Sequence, residues 1–198
     1  MANEYVTLEE LKAHLGVEAD DTSRDVLLNR ARVSASRSID KTTGRRFWLD
    51  ADPVQRVFNP RGRVVREDDG DLFLVDDIGD LEGLTVETGS GSSWSAVTDY
   101  ETSPDNALAD GKPIDGLLRP LGTWGSATAR LRVTAKFGWP AVPDAVAEAA
   151  LIQASRLYKR KDSPEGIIGS AEWGVRNLSR RDPDVWALIE PFILPGFA

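Results

Sequence analysis

The spacing of apolar positions changes character twice along the chain. Leu8, Leu11 and Leu15 recur at three- and four-residue intervals, which places them on one face of a helix. Thr7 and Glu10 stand in capping-box positions ahead of them and Gly16 supplies a stop, so a short helix is predicted over 8–15. The stretch DDTSRD opens a second helical pattern, in which Val26, Leu27, Val33 and Ile39 are interspersed with Arg24, Arg30, Arg32 and Arg37 up to Gly44. It predicts a helix over 23–43 whose apolar side is narrow, so that packing covers it only in part.

From 46 to 138 the period shortens. PVQRVF, LFLV, LTVE, SWSAV, GLLRP and ARLRVTAKF are short, β-branched or aromatic runs, separated by the turn clusters NPRG, EDDGD, TGSGSS, SPDN and DGKP. They predict a small antiparallel β region. In ARLRVTAKF, Leu131, Val133, Ala135 and Phe137 alternate with Arg130, Arg132, Thr134 and Lys136, the pattern of a strand with one buried and one wet, basic face. The buried face is expected to pack on helices.

The corner KFGWPAVPDAV returns the chain to helix. Pro140 and Pro143 fix their own φ and hold Trp139 and Val142 extended, so a helix starts only at about Pro143 and runs over 143–162. Val146, Ala150 and Leu157 line one stripe of it and Ala147, Leu151, Ala154 and Tyr158 the next; the many alanines predict close helix packing. After SPEGIIGSAEWGV and NLSRRD, the stretch DPDVWALIEPF supports a last short helix, with Asp182 as cap and Pro183 at its first position. The fold class is therefore α+β: a small bundle of about four helices carrying an inserted antiparallel β subdomain. Residues 1–45 supply the first helices, 46–138 the insertion, and 139–198 the long helix, the short helix and the tail.

Composition narrows the function more than it defines it. The 198 residues are 41% hydrophobic, enough for a real core, and include no cysteine, which removes thiolate catalysis and cysteine metal sites. No apolar run approaches a membrane span, and MANEYVTLEE lacks the features of a signal peptide, so a soluble, unprocessed protein without membrane contact is expected. A formal net charge of −8 opposes nonspecific wrapping of nucleic acid.

Candidate chemistry is sparse, and no catalytic residue, cofactor or metal ligand is assigned. His14 has no partner pattern around it. Glu67, Asp68, Asp69 and Asp71 lack the ligand spacing of a calcium loop and fit a solvated hairpin turn better. GSGSS has neither the order nor the following helix of a phosphate loop. The groups Arg45–Arg46, Lys159–Arg160–Lys161 and Arg180–Arg181 suit solvated helix ends or an acidic partner equally. Apolar surplus is the stronger signal. Trp173, Trp186, Leu188, Ile189, Phe192, Ile193, Leu194 and Phe197 crowd a Gly- and Pro-containing tail, either as cover for the core or as anchors for a partner.

Four pieces in order, YVTLEELKAHL, DDTSRDVLLNRARVSASRSIDKTTGRRF, RLRVTAKFGWPAVPDAVAEAALIQASRLYKRKDSP and DPDVWALIEPF, resemble the head-to-tail connector adaptor proteins of long-tailed bacteriophages. The likeness spans most of the chain and is weakest over about 50–130, where the β region is longer than minimal members need. It implies a virion protein of the neck between capsid and tail, assembled in the bacterial cytoplasm. It further implies a homo-oligomeric ring of about twelve copies under the portal protein, docking the next neck or tail protein and letting double-stranded DNA pass without specific binding. It places a portal or neighbouring-subunit anchor at Arg180, Arg181, Trp186, Leu188, Ile189, Phe192, Ile193 and Phe197. Close packing of the long helix suggests a subunit contact at Ala149, Ala150, Ala154, Leu157 and Tyr158. The alternative is a nucleic-acid-binding regulator that uses the arginine-bearing helix near 23–43.

Overall fold

The computed structural model describes residues 3–124, 129–160, 167–168, 176–177 and 182–194. The chain divides into two compact units, Met1–Arg46 with Val142–Ala198, and Phe47–Ala141. The class is α+β, with four α-helices and a seven-stranded antiparallel sheet among the described residues.

In the helical unit, α1 (Leu8–Leu15) begins at a complete capping box: the Thr7 side chain accepts from the Glu10 N–H at 3.1 Å, and the Glu10 carboxylate accepts from the Thr7 N–H at 2.7 Å. Gly16 closes the helix at φ 67°. The second helix, α2, spans Asp25–Thr43 and starts later than the sequence suggests. Asp21 explains the delay, because its carboxylate accepts the Ser23 N–H at 2.9 Å and holds a turn there instead. Lys12 ties the α1–α2 connection down, donating to the Ala19 carbonyl at 3.1 Å and lying 2.6 Å from the Asp25 carboxylate. The long helix α3 (Asp144–Lys159) has Pro143 as its N-cap rather than in its first turn. Leu11, Leu28, Ala31, Ala35, Ala154 and Tyr158 form the core between α1, α2 and α3. Helix α4 (Pro183–Ile189) has Asp182 as cap, accepting from Asp184 and Val185 N–H groups, and Pro183 in its first turn.

The β unit is organised by one strand. The strands are β1 (Val54–Phe58), β2 (Val64–Glu67), β3 (Gly70–Ser90), β4 (Ser93–Val97), β5 (Glu101–Ser103), β6 (Ile114–Arg119) and β7 (Arg130–Phe137). LFLV and LTVE, expected as separate strands, lie within the single 21-residue β3. Its first part pairs with β2 and β6 and its last part with β7 and β4, with register shifts between Leu74 and Thr85. Gly79, where a Cβ would come 2.8 Å from the Gly138 carbonyl oxygen, and Gly83, at φ 72°, let the strand pass through this irregular stretch. The overall order is β1-β7-β3-β6-β5, with β2 and β4 also on β3.

That arrangement corrects the expected partner of β7. Its alternation is as read, with Leu131, Val133, Ala135 and Phe137 fully buried, but the face packs on Phe58, Phe73, Ile78, Val86, Ile114 and Leu117 of the sheet's own strands rather than on helices. A β3 long enough to join both parts of the sheet supplies the second apolar layer. The opposite face is ion-paired: Arg132 holds Glu87 through two bonds of 2.5 Å, and Lys136 bonds Glu82 and lies 3.6 Å from Asp80. In the helical unit, β8 (Ile167–Ile168) pairs antiparallel with β9 (Arg176–Asn177).

Candidate functional site

One face of α2 is exposed among the described residues of the helical unit. Successive positions 26, 30, 33, 37 and 41 fall on one face by helical spacing. Val26 is 81% exposed and Val33 40%, with Leu27 beside them at 46%. Arg30, Arg37 and Lys41 are exposed between and beyond them, and Arg30 and Lys41 have no ion-pair partner among the described residues. The combination is an apolar strip edged by cations. The reverse side of α2 carries Leu28, Ala31, Ala35 and Ile39 into the core.

Residues 3–6, to which the sequence reading gave no role, cover part of the polar flank of α2. The Tyr5 N–H donates to Ser36 Oγ at 3.1 Å and its hydroxyl donates to Asp40. Arg32 donates to the Val6 carbonyl at 3.2 Å and approaches Glu4 at 3.4 Å, while Arg37 sits over the Tyr5 ring. Burial pushes the Asp40 carboxyl above its usual range, against the pull of the Tyr5 hydroxyl, Arg37 and Arg46. Of the arginines read as candidates for a nucleic-acid contact, Arg32 is thus engaged within the unit.

The predicted contact residues divide by exposure. Ala149, Ala150 and Ala154 are fully buried and Tyr158 nearly so, while Leu157 is partly exposed. Close packing of α3 is satisfied inside the unit, against α2 and α4. In the C-terminal set, Ile189 is 3% exposed and, with Val185, faces inward from α4. Trp186, Leu188, Phe192 and Ile193 are partly exposed. The segment is anchored within the unit by the Arg156–Asp182 ion pair at 3.0 Å and by the Leu194 N–H, which donates to the Thr43 carbonyl at 2.9 Å. Arg180, Arg181 and Phe197 lie outside the described residues, as do Trp173 and the stretch 178–181.

The groups considered for chemistry stay apart. His14 is exposed at the end of α1. Glu67, Asp68 and Asp69 are exposed at the β2–β3 turn, and Asp71 pairs with Arg66 at 3.3 Å. No group of three or more His, Cys, Asp or Glu side chains among the described residues is placed to hold a metal ion. No described helix is long and apolar enough to cross a membrane.

No protein-family model matches the chain, and no curated protein sequence does. Solved structures do. A chain from the neck of an empty gene transfer agent particle, computed with C6 symmetry, superposes with a TM-score of 0.59 at 16% identity, over 100% of this chain and 95% of that one. A chain from the virion of a native gene transfer agent particle gives a TM-score of 0.55 at 17% identity, over 96% of this chain and 90% of that one. At these identities the likeness is one of fold, and it extends over nearly the whole of each chain.

Proposed function

We propose that the protein is a structural adaptor in the neck of a tailed, phage-like particle, where it forms a homo-oligomeric ring under the portal, extends the DNA channel and docks the next neck or tail protein. The observation that carries this reading is the end-to-end likeness to a chain of a gene transfer agent neck. A twelve-copy ring is commensurate with the six-fold symmetry named for that particle. The role is non-enzymatic, since binding and geometry suffice for it.

The strip of Val26, Leu27 and Val33 on α2 supports a subunit or portal contact, because a lone soluble unit gains nothing from aligning exposed valines along one helix face. Trp186, Leu188, Phe192 and Ile193, partly exposed on and after α4, form the second candidate contact, with Leu157 of α3. Arg180, Arg181 and Phe197 remain part of that proposal on the strength of the family resemblance. The test is loss of the gene in its own particle. Electron micrographs of the lysate should then show DNA-filled heads and free tails that do not join; intact tailed particles would refute the role.

A further inference from the structure

One end of the β unit collects more positive charge than its surroundings neutralise. Pro60, Arg61, Gly62 and Arg63 make a tight turn between β1 and β2, closed by the Arg63 N–H on the Pro60 carbonyl at 3.0 Å, with Gly62 at φ 74°. That geometry requires glycine at the third position and presents Arg61 at the tip. Asn59 braces the turn: its side-chain oxygen accepts the Arg61 N–H at 3.2 Å and Arg130 Nη1 at 3.4 Å. Behind it, Arg56 and Arg63 share one carboxylate, Asp76, at 2.7 and 3.3 Å. Each of these two guanidiniums also lies over a ring, Arg56 on Phe137 and Arg63 on Phe58, which fixes the cations in place without neutralising them. Arg61 has no side-chain partner among the described residues. Two of these four guanidiniums thus share one carboxylate, and Arg61 and Arg130 have no carboxylate partner among the described residues, in a chain whose net charge is −8.

We propose that Arg56, Arg61, Arg63 and Arg130 form a binding site for the phosphodiester backbone of duplex DNA. The site consists of arginines alone, whose planar forks bond oxyanions through two parallel N–H groups. Arg56 meets Asp76 through one nitrogen, and its other donors are available to a second anion. Glu87, two positions along β3 from the Gly89 that pairs with Arg130, is taken up by Arg132, and the run Glu67, Asp68 and Asp69 lies across the four residues of β2, roughly 13 Å from Arg63 at strand spacing. That exceeds the screening length of about 10 Å at 0.1 M salt, so the cluster acts on a phosphate as a locally positive surface. The contact carries no sequence information, because nothing in the cluster is placed to read base edges. The choice of duplex DNA as the polyanion rests on the neck reading above; the charge of the cluster does not.

The experiment is fluorescence polarisation of a short labelled duplex with the full-length chain across a salt series. Each phosphate contact contributes about 0.9 to the logarithmic salt slope, so four contacts predict a loss of roughly a hundredfold in affinity between about 50 and 200 mM salt. The double variant Arg61→Gln, Arg130→Gln should bind more weakly at low salt and lose only roughly tenfold over the same range. Asp76→Asn, which removes the single anion, should tighten binding severalfold, a gain that misfolding cannot imitate. Unchanged slopes in the arginine variant, or no gain in Asp76→Asn, would overturn the proposal. So would a polyglutamate probe binding the cluster where duplex DNA does not, since the site would then serve an acidic protein. Particle joining by the unsubstituted chain, measured beside its duplex binding, separates the two claims. Duplex binding without incorporation into particles refutes the neck reading and leaves the site, whereas incorporation without duplex binding does the reverse.

Discussion

Gly138 sits at φ 116°, and a Cβ there would come 1.9 Å from the Trp48 carbonyl oxygen. No rotamer relieves a backbone clash of that kind, so Gly138→Ala should cost on the order of 3 kcal/mol, measured as a lower urea midpoint. The next residue is held by contacts within the β unit. Trp139 is buried, donates its indole N–H to Asp77 at 3.0 Å and packs on Phe47 with ring centroids 5.2 Å apart. At the other end of the chain, Thr7→Ala should destabilise by about 1 kcal/mol through loss of the cap. The Glu10 carboxyl is held below its usual range by the Thr7 backbone N–H first and the Thr7 hydroxyl second. Its stabilising effect is complete above the unfolded value of about 4.3 and is lost as pH falls through the lower folded value. Protection factors of the α1 amides, corrected for the intrinsic rate, should therefore fall on acidification below about pH 4, and Glu10→Gln should remove that dependence. The cap was legible from four consecutive letters because every partner is local. The need for glycine at 138 was not, because the atom that excludes a side chain belongs to Trp48, ninety positions earlier.

Helix α2 divides into a face that folds the unit and a face that the fold does not use. Leu28→Ala, at a fully buried position, should cost about 2–5 kcal/mol. Val26→Asp with Val33→Asp should leave the urea midpoint within about 0.5 kcal/mol of the parent, since both side chains already face water. The same double variant should nevertheless fail to assemble with portal rings in co-sedimentation; normal assembly would move the contact elsewhere. Ile189→Asp tests the C-terminal segment from the opposite direction. It should destabilise the helical unit as well as affect assembly, because Ile189 is buried on the inner face of α4, whereas Leu188→Asp should affect assembly alone. Helix positions were legible because period and caps are properties of consecutive residues. Which apolar positions turn inward was not: the alanines of α3 suit an intersubunit contact and a tight core equally well, and only the packing of α2 and α4 against them assigns them to the core. For the same reason, two runs that look like independent strands proved to be one, since the strand partners that carry β3 through its irregular middle lie up to about sixty residues away.

At the scale of the molecule, the chain has a helical unit formed by its two ends and a β unit formed by its middle. The α+β class followed from the change in apolar period, but the self-sufficient core of the β unit did not, because alternation along β7 gives a buried face without naming what buries it. Negative charge overall with a confined cationic cluster suits a channel component that must let DNA slide and still hold it weakly. The central claim is assembly into a closed ring on a portal. Native mass spectrometry of the full-length chain mixed with its cognate portal ring tests it most directly. The account predicts one discrete complex heavier than the portal by twelve times the 21.7 kDa chain mass. A chain that remains at 21.7 kDa beside an unchanged portal, at concentrations well above those in an assembling cell, would contradict it.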